Sequence, residues 1–362
     1  MHKSQRVILI GSKPQADFLT AIATADPTNY VRLEVMDADF AKLTPKTSDN
    51  SEDATGYEQA TEQYLESWDA EAQHSLAVSS EQIGRVLLLL FGSVVTTQPD
   101  EEAAPNVYQH VFKPMDVSSA RQLPATTLVE ILGTALNRKH PSMCVKNFSM
   151  KGDGLKRVES SFQFKGSGKE ITPSGLSVTQ AKARLLTGLH YFFNSQATLT
   201  LADAVTLANA VAYGANRRHN NWEFGFDNQF IEDEGYFPGA DRFQTDGDAT
   251  TGATRTELLV GKRTATASVN VRFKDQSEEL AALKSQKKLD WKLVLTGALI
   301  EATYKHKLTF EAHQLQYETV ELSAGGSGLV NAQIKPKIEV NPSNGDWVTA
   351  TLINNVPSYV AA

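Results

Sequence analysis

The side chains best suited to chemistry in this sequence are few, and their spacing keeps them apart. His306 and His313 are separated by 313 − 306 = 7 positions. On a strand an odd separation puts two side chains on opposite faces, so they cannot share a metal ion there; one is expected packed and the other solvated. Asp246-Gly247-Asp248 has the start of a calcium loop without its further ligands and closing glutamate, and reads as an acidic turn. Gly166-Ser167-Gly168-Lys169 lacks the spacer and following Ser/Thr of a phosphate loop, and reads as part of a linker. Arg217-Arg218-His219, beside Trp222, is a short basic cluster in acidic surroundings, which fits a surface turn. Neither a Gly-x-Ser-x-Gly elbow nor a His-Glu-x-x-His site occurs in the sequence. The single cysteine, Cys144, has no intrachain partner and is expected to be buried and inert. No catalytic residues, metal ligands or cofactor are therefore expected, and an enzyme is the reading the sequence supports least.

The elements that would have to position any site are better marked. The chain has 362 residues, material for two cores, and a formal charge of −7 that argues against tight phosphate binding. Its longest apolar run, Val86–Phe91, is too short to span a bilayer, so no membrane insertion is expected. Met1–Gly11 lacks the long apolar region and cleavage site of a secretory signal, and reads as an N-terminal arm on a protein not exported by that route.

The clearest stretch is Arg263–Val340. Ala265, Ala267, Val269 and Val271 alternate with Thr264, Thr266, Ser268 and Asn270, predicting a strand with one buried and one wetted face. Asp275 and Glu278 have capping-box spacing, which starts a helix over Gln276–Lys287 with Leu280 and Leu283 facing inward. Strands follow at Trp291–Ala298, His306–His313 and Gln333–Val340. The first half has the same order. Tyr30–Val35 is a strand, Thr44–Ser67 a long polar loop, and Trp68–Val78 an alternating strand. Ser79 and Gln82 then cap a helix that ends at Gly92. A short helix near Leu128–Leu136, closing strands at Val145–Met150 and Arg157–Lys165, and helical spacing over Leu199–Val211 complete the reading. In the second half Trp222–Ile231 is the first strand and Glu232–Leu258 the polar loop.

Two coincidences share one offset, since 275 − 79 = 196 and 304 − 108 = 196, the latter aligning Tyr108-Gln109-His110 with Tyr304-Lys305-His306. With the repeated element order they indicate an internal duplication. The expected organisation is a first module at 1–165, a linker at 166–198, a second module at 199–340 and a C-terminal arm at 341–362.

At this point the residues resemble a family. The element order, the Trp68–Phe91 and Arg263–Lys287 segments, and Val158–Gly168 (VESSFQFKGSG) look like the major tail tube protein of long-tailed bacteriophages. That family shares its fold with the tubes of type VI secretion and gene-transfer agents. The resemblance implies a mainly β (α+β) fold of two tandem β-sandwich modules, each flanked by a helix and carrying one long loop. It implies a virion tail protein, assembled in the host cytoplasm, that stacks as rings into a tube passing DNA. A typical tube subunit has one module and six copies per ring, so a duplicated one implies trimers with pseudo-sixfold symmetry. Implied partners are copies of itself and the tail tip or baseplate, tape-measure and tail terminator proteins, with transient passage of DNA. Lys46, Asp49, Glu52, Tyr57 and Glu62 would lie in one inter-ring loop, and Asp233, Tyr236, Asp246, Asp248 and Arg255 in the other. Asp69, Glu71, Gln73, Thr264, Thr266, Ser268 and Asn270 would face the lumen, where acidic and neutral groups keep a phosphate backbone from sticking. A baseplate or distal-tail ring protein, or a carbohydrate-binding β-protein, are the alternatives.

Overall fold

In the computed structural model the alternation read from the sequence becomes a set of long antiparallel strands. The structure describes residues 6–52, 59–116, 118, 121–172, 176–203, 211–212, 219–232, 235–236, 242–245, 248–272, 278–324, 330–340, 345 and 347–360. The first half holds β1 (Arg6–Gly11), β2 (Tyr30–Leu33), β3 (Val35–Ala38), β4 (Lys42–Asp49), β5 (Gln63–Ala77), α1 (Ile83–Phe91), β6 (Gly92–Thr97), β7 (Tyr108–Pro114), β8 (Thr126–Leu132), β9 (Leu136–Asp153) and β10 (Glu159–Gly166). After α2 (Val178–Ala183) come β11 (Ala197–Asp203), β12 (Val211–Ala212), β13 (His219–Asp227), β14 (Arg242–Thr245), β15 (Asp248–Ala253), β16 (Thr264–Arg272), α3 (Glu278–Ser285), β17 (Leu289–Glu301), β18 (Tyr304–Ala324), β19 (Val330–Ile338) and β20 (Val348–Asn354).

The principal sheet runs β4-β5-β10-β9-β13-β16-β19-β18, with every neighbouring pair antiparallel. A second layer runs β11-β17-β18-β20-β7-β6, again antiparallel throughout. A third group, β2-β1-β8, joins the front half of β9. The long strands β9 and β18 thus each serve two layers, which gives a sandwich-like, mainly β fold.

Within the principal sheet the two halves are wired alike. β4 precedes and pairs with β5, α1 follows β5, the hairpin β8–β9 comes later, and β10 inserts between β5 and β9. In the second half β13 pairs with β16, α3 follows, the hairpin β17–β18 comes next, and β19 inserts between β16 and β18. The first half differs by the extra hairpin β6–β7. The offset of 196 carries α1 onto 279–287, over α3. Tyr108 and Tyr304 do open strands, but β7 and β18 are not counterparts in this wiring, where β9 corresponds to β18.

One apolar cluster runs through both halves, from Leu76, Leu87 and Phe91 to Trp222, Trp291 and Phe310, so the segment 166–198 does not separate two cores. Phe192, within that segment, is itself part of the cluster. Phe91 on α1 meets Phe226 on β13 edge-on at 5.0 Å between ring centroids, and Phe224 meets Phe310 at 4.9 Å. Helix α1 ends as expected, with Gly92 left-handed at φ 88° and its N–H bonded to the Leu88 carbonyl. Asn228, just past β13, donates to the carbonyls of Leu90 and Val145, serving helix end and sheet together. Cys144 is buried, and burial pushes its thiol up.

Several expectations are overturned. Thr44–Ser67 is not a loop: Lys42–Asp49 pairs with the front half of β5 as a hairpin arm, because polar residues on an exposed two-stranded arm need bury nothing. Likewise Glu232–Leu258 contains the β14–β15 hairpin. No helix forms near Leu128–Leu136, where the β-branched Thr126, Thr127, Val129 and Ile131 favour β8 and Gly133, at φ 55°, turns the chain. Leu199–Asp203 is extended in β11 against β17 rather than helical. Ser79 and Gln82 make no side-chain cap on α1; backbone bonding from Ile83 N–H to the Ser79 carbonyl starts the helix instead. The helix at Glu278–Ser285 matches its expectation, with Leu283 against the core, while Asp275 lies outside the described residues. The N-terminal arm is in part the buried strand β1, and the C-terminal arm is in part β20, held between β7 and β18 with Tyr359 buried behind it.

His74, on the apolar face of β5, meets the rings of Phe162 and Phe164 edge-on. Burial pushes its pKa down to about 4, opposed by the Glu130 and Asp39 carboxylates and reinforced by Arg6. The folded state therefore holds His74 neutral where the unfolded chain would protonate it below its ordinary 6.5. Its contribution is complete above that pH and is lost as pH falls toward 4. His74→Leu is expected to remove about 2 kcal/mol of the stability lost between pH 7 and pH 5, measured by urea unfolding at both. An unchanged pH slope would refute this.

Candidate functional site

Side-chain alternation divides the principal sheet into two faces. Ala70, Ala72, Leu76, Phe162, Phe164, Phe148, Met150, Phe224, Val269 and Ile334 point into the core. The residues between them form a polar face whose rows cross the strands in register. Gln73, Gln163, Asn147, Asp227 and Thr264 make one such row across β5, β10, β9, β13 and β16. Ser75, Ser161, Ser149, Gly225 and Thr266 make the next, a line of small side chains. Gly225 has a packing reason, since a Cβ there would meet the Thr266 hydroxyl at 2.6 Å. The sequence-predicted Glu71, Gln73, Thr264, Thr266, Ser268 and Asn270 are thus brought onto one surface, although they come from opposite halves of the chain.

Three lysines on this face have carboxylate partners close by. Lys151 pairs with Glu159 at 3.6 Å, Lys335 with Glu321 at 3.3 Å and Lys337 with Glu339 at 3.7 Å. A groove of about 370 Å³ opens along the same face, lined by Lys151, Asp153, Arg157, Asn221, Glu223 and Ser268. Its charges are mixed, so it offers no single-sign field for an ionic ligand.

At the β5 end the face closes into a buried charged knot. Lys165 Nζ lies 2.5 Å from Asp69 Oδ2, 2.6 Å from Glu71 Oε1 and 3.3 Å from Glu232 Oε2. The second oxygen of Asp69 takes Arg255 at 2.6 Å, and Lys146 holds Glu232 at 2.6 Å. Burial alone would lower the Lys165 pKa, but the hydrogen bonds it donates to Asp69 and Glu71 outweigh that and hold the ammonium above its usual range. Glu232 is kept low in the same way, Lys146 and Lys165 overcoming its desolvation. The Tyr236 ring lies under both Lys46 and Arg255, with its hydroxyl donating to the Trp68 carbonyl at 3.0 Å. Gly168 is left-handed at φ +87°, and a Cβ there would collide with the Trp68 carbonyl, so the position needs glycine.

The knot changes the reading of three predicted residues. Asp69 is buried and doubly ion-paired rather than solvated on an open face. Arg255 and Tyr236, expected in a projecting loop, are packed against β5. Across the arm Asn50 accepts from the N–H groups of Thr61 and Glu62, Asp49 accepts from the Ser51 N–H in an Asx turn, and Tyr64 donates to Glu62. Glu52 is exposed beside it. Asp248 opens β15, whose last residue, Ala253, pairs with Ser67, so the two expected loops meet at their bases. Tyr57, Asp233 and Asp246 lie outside the described residues. Lys165, Lys146 and Glu232 were not singled out by the sequence, although the alternation Glu159-Ser161-Gln163-Lys165 places Lys165 on the polar face.

His306 is buried and His313 partly exposed, as their odd spacing implied. No helix among the described residues is long and apolar enough to cross a membrane. A scan of protein-family models finds no match to this chain, and a search of curated proteins finds none either.

Removing Arg255 leaves one oxygen of the buried Asp69 without its charged partner. Arg255→Ala is expected to cost about 3–5 kcal/mol in urea unfolding, the range for breaking a buried pair. A cost under about 1 kcal/mol, typical of a surface pair, would show the knot to be uncoupled.

Proposed function

We propose that the chain is a structural subunit that joins edge to edge with copies of itself into a ring, its polar sheet face lining the central channel. The single observation that carries this is the wiring of the principal sheet. Its halves contribute four strands each and meet at β9–β13. In that wiring β9 corresponds to β18 and β13 to β4, so the junction equivalent to β9–β13 would be β18 against β4 of the next copy. Among the pairings found, β4 bonds only to β5, and the rear half of β18 only to β19. With eight antiparallel strands the two outer strands run in opposite directions, so head-to-tail joining continues the alternation. Exposed strand edges of this length associate unless protected, and Pro45 guards only one position of β4.

The polar face supports the nature of the channel. Rows of Ser, Thr, Gln and Asn, with Lys151 and Lys335 paired to carboxylates, give a surface suited to weak rather than tight contact with a polyanion. Joined with the sequence's resemblance to the tail tube family, this ring is read as that of a tail tube subunit of a long-tailed bacteriophage, residing in the virion tail and passing DNA. Three copies would complete a ring of six equivalent half-subunits. Its partners would be further rings and the proteins that begin, measure and end the tube. In this reading the hairpin arm of β4 and β5 would contact a neighbouring ring. A baseplate or distal-tail ring of the same fold would differ by low copy number per virion. A glycan-binding reading draws less support, because Trp222 and Trp291 are buried and Trp68 and Trp347 only partly accessible.

Negative-stain electron microscopy of the concentrated protein, with mass measurement, is expected to show hollow rings or tubes built from trimers. Rings of six subunits would refute the pseudo-sixfold arrangement, and a monomer at every concentration would refute the ring itself. Proline placed in turn at Glu318, Thr319, Val320 and Glu321 is expected to abolish rings at alternate positions while leaving the monomer's circular dichroism unchanged. Rings surviving all four would place the junction elsewhere.

A further inference from the structure

The turn before α1, the connector ahead of β11 and the start of β18 converge on one point away from the polar face. Glu81, His190 and His306 each present a ligand atom there, all within 4.8 Å of one another. Glu81 Oε1 lies 2.8 Å from His190 Nδ1 and 3.9 Å from His306 Nδ1. Its other oxygen accepts the His190 backbone N–H at 3.0 Å, and the Ser80 hydroxyl donates to Oε1 at 2.8 Å, so the carboxylate is held from two sides. The imidazoles stack at 4.0 Å with 20° between planes. Glu81 and His306 are buried, whereas the His190 side chain is 39% accessible.

We propose that these three side chains form a binding site for a first-row divalent transition cation, zinc foremost, with water as the fourth ligand. Two imidazole nitrogens and one carboxylate oxygen are a donor set suited to zinc, cobalt or nickel and poorly suited to calcium or magnesium. Donors about 2.0–2.1 Å from a tetrahedral metal stand roughly 3.4 Å apart, so a spacing of up to 4.8 Å has to close by about 1.4 Å while the 2.8 Å Glu81–His190 pair opens by about 0.6 Å. His190 is the ligand free to make that move, swinging off the stack from the solvent side, which is also the entry path. Glu81 is already oriented by Ser80 and the His190 backbone, as supporting hydrogen bonds orient ligands in metal sites. Both histidines would bind through Nδ1 as the Nε2–H tautomer; His306 Nδ1, now 2.8 Å from the Ser80 hydroxyl oxygen, would exchange that hydrogen bond for the metal, its proton passing to solvent. A bound ion would clip the first half, the connector and β18 together. This site is independent of ring formation.

The test uses the full chain stripped with chelator and dialysed. Isothermal titration with Zn²⁺ is expected to show one equivalent bound and a raised melting temperature, and Co²⁺ to give the visible bands of a four-coordinate site. Ca²⁺ and Mg²⁺ should do neither. His190→Gln, at the accessible ligand, is expected to fold, as its circular dichroism would show, and to weaken zinc binding by more than the roughly 10–100-fold lost with an outer-shell partner. His313→Gln, farther along β18, should bind as the unaltered chain does. Absence of stoichiometric zinc binding would overturn the proposal, and so would undiminished binding by His190→Gln.

Discussion

Alternation of side chains across the principal sheet, kept despite single register shifts in the β4–β5, β10–β9, β13–β16 and β18–β19 pairings, is the constraint on which this molecule rests. Each strand must keep its apolar set toward the second layer, and a slip of one residue would exchange the faces. The rows from Ser75 to Thr266 show that register is kept across five strands without interruption at the passage from first half to second. Because the inner face is fixed by aromatic packing around Trp222, Phe224 and Phe310, the outer face is free to carry a composition chosen for a surface. Core and candidate channel are two sides of one pattern.

The charged knot does for one end of the sheet what apolar packing does elsewhere. β5 reaches past β10 toward the hairpin arm, where there is little apolar surface to hold it. Lys165 and Arg255 bind Asp69 from two sides and draw in Glu71 and Glu232. A buried ion pair of this kind adds little over well-packed apolar groups, but it is demanding of geometry. It fixes where the base of the arm sits relative to the sheet, which an apolar patch would leave less determined.

Much of this was legible in the sequence because alternation is a local signal. β5, β10, β13 and β16 show it plainly, and Gly92 marks the end of α1 in a way that sterics dictate. What was not legible depended on distant partners. Lys42–Asp49 looks like a solvated loop until β5 is laid beside it, and β20 looks like an arm until β7 and β18 flank it. Leu199–Asp203 fits a helix or a strand by spacing, and pairing with β17 decides. Asp69 was rightly placed on the polar side of its strand, but its burial follows from Arg255, 255 − 69 = 186 residues away. The duplicated wiring was visible as order, whereas its detailed correspondence required the sheet.

The placement of β20 carries a consequence in time. Phe112 on β7 faces Ala350, and 350 − 112 = 238 residues of chain must be made between them. Until they are, β7 has only β6 beside it, and the front half of β18 lacks one of its two neighbours. Contacts this far apart in sequence close slowly, because the intervening chain must be ordered first. The β7–β20 and β18–β20 seams can therefore close only after every strand of the principal sheet has been made, which leaves β7 and the front of β18 with an open edge until then.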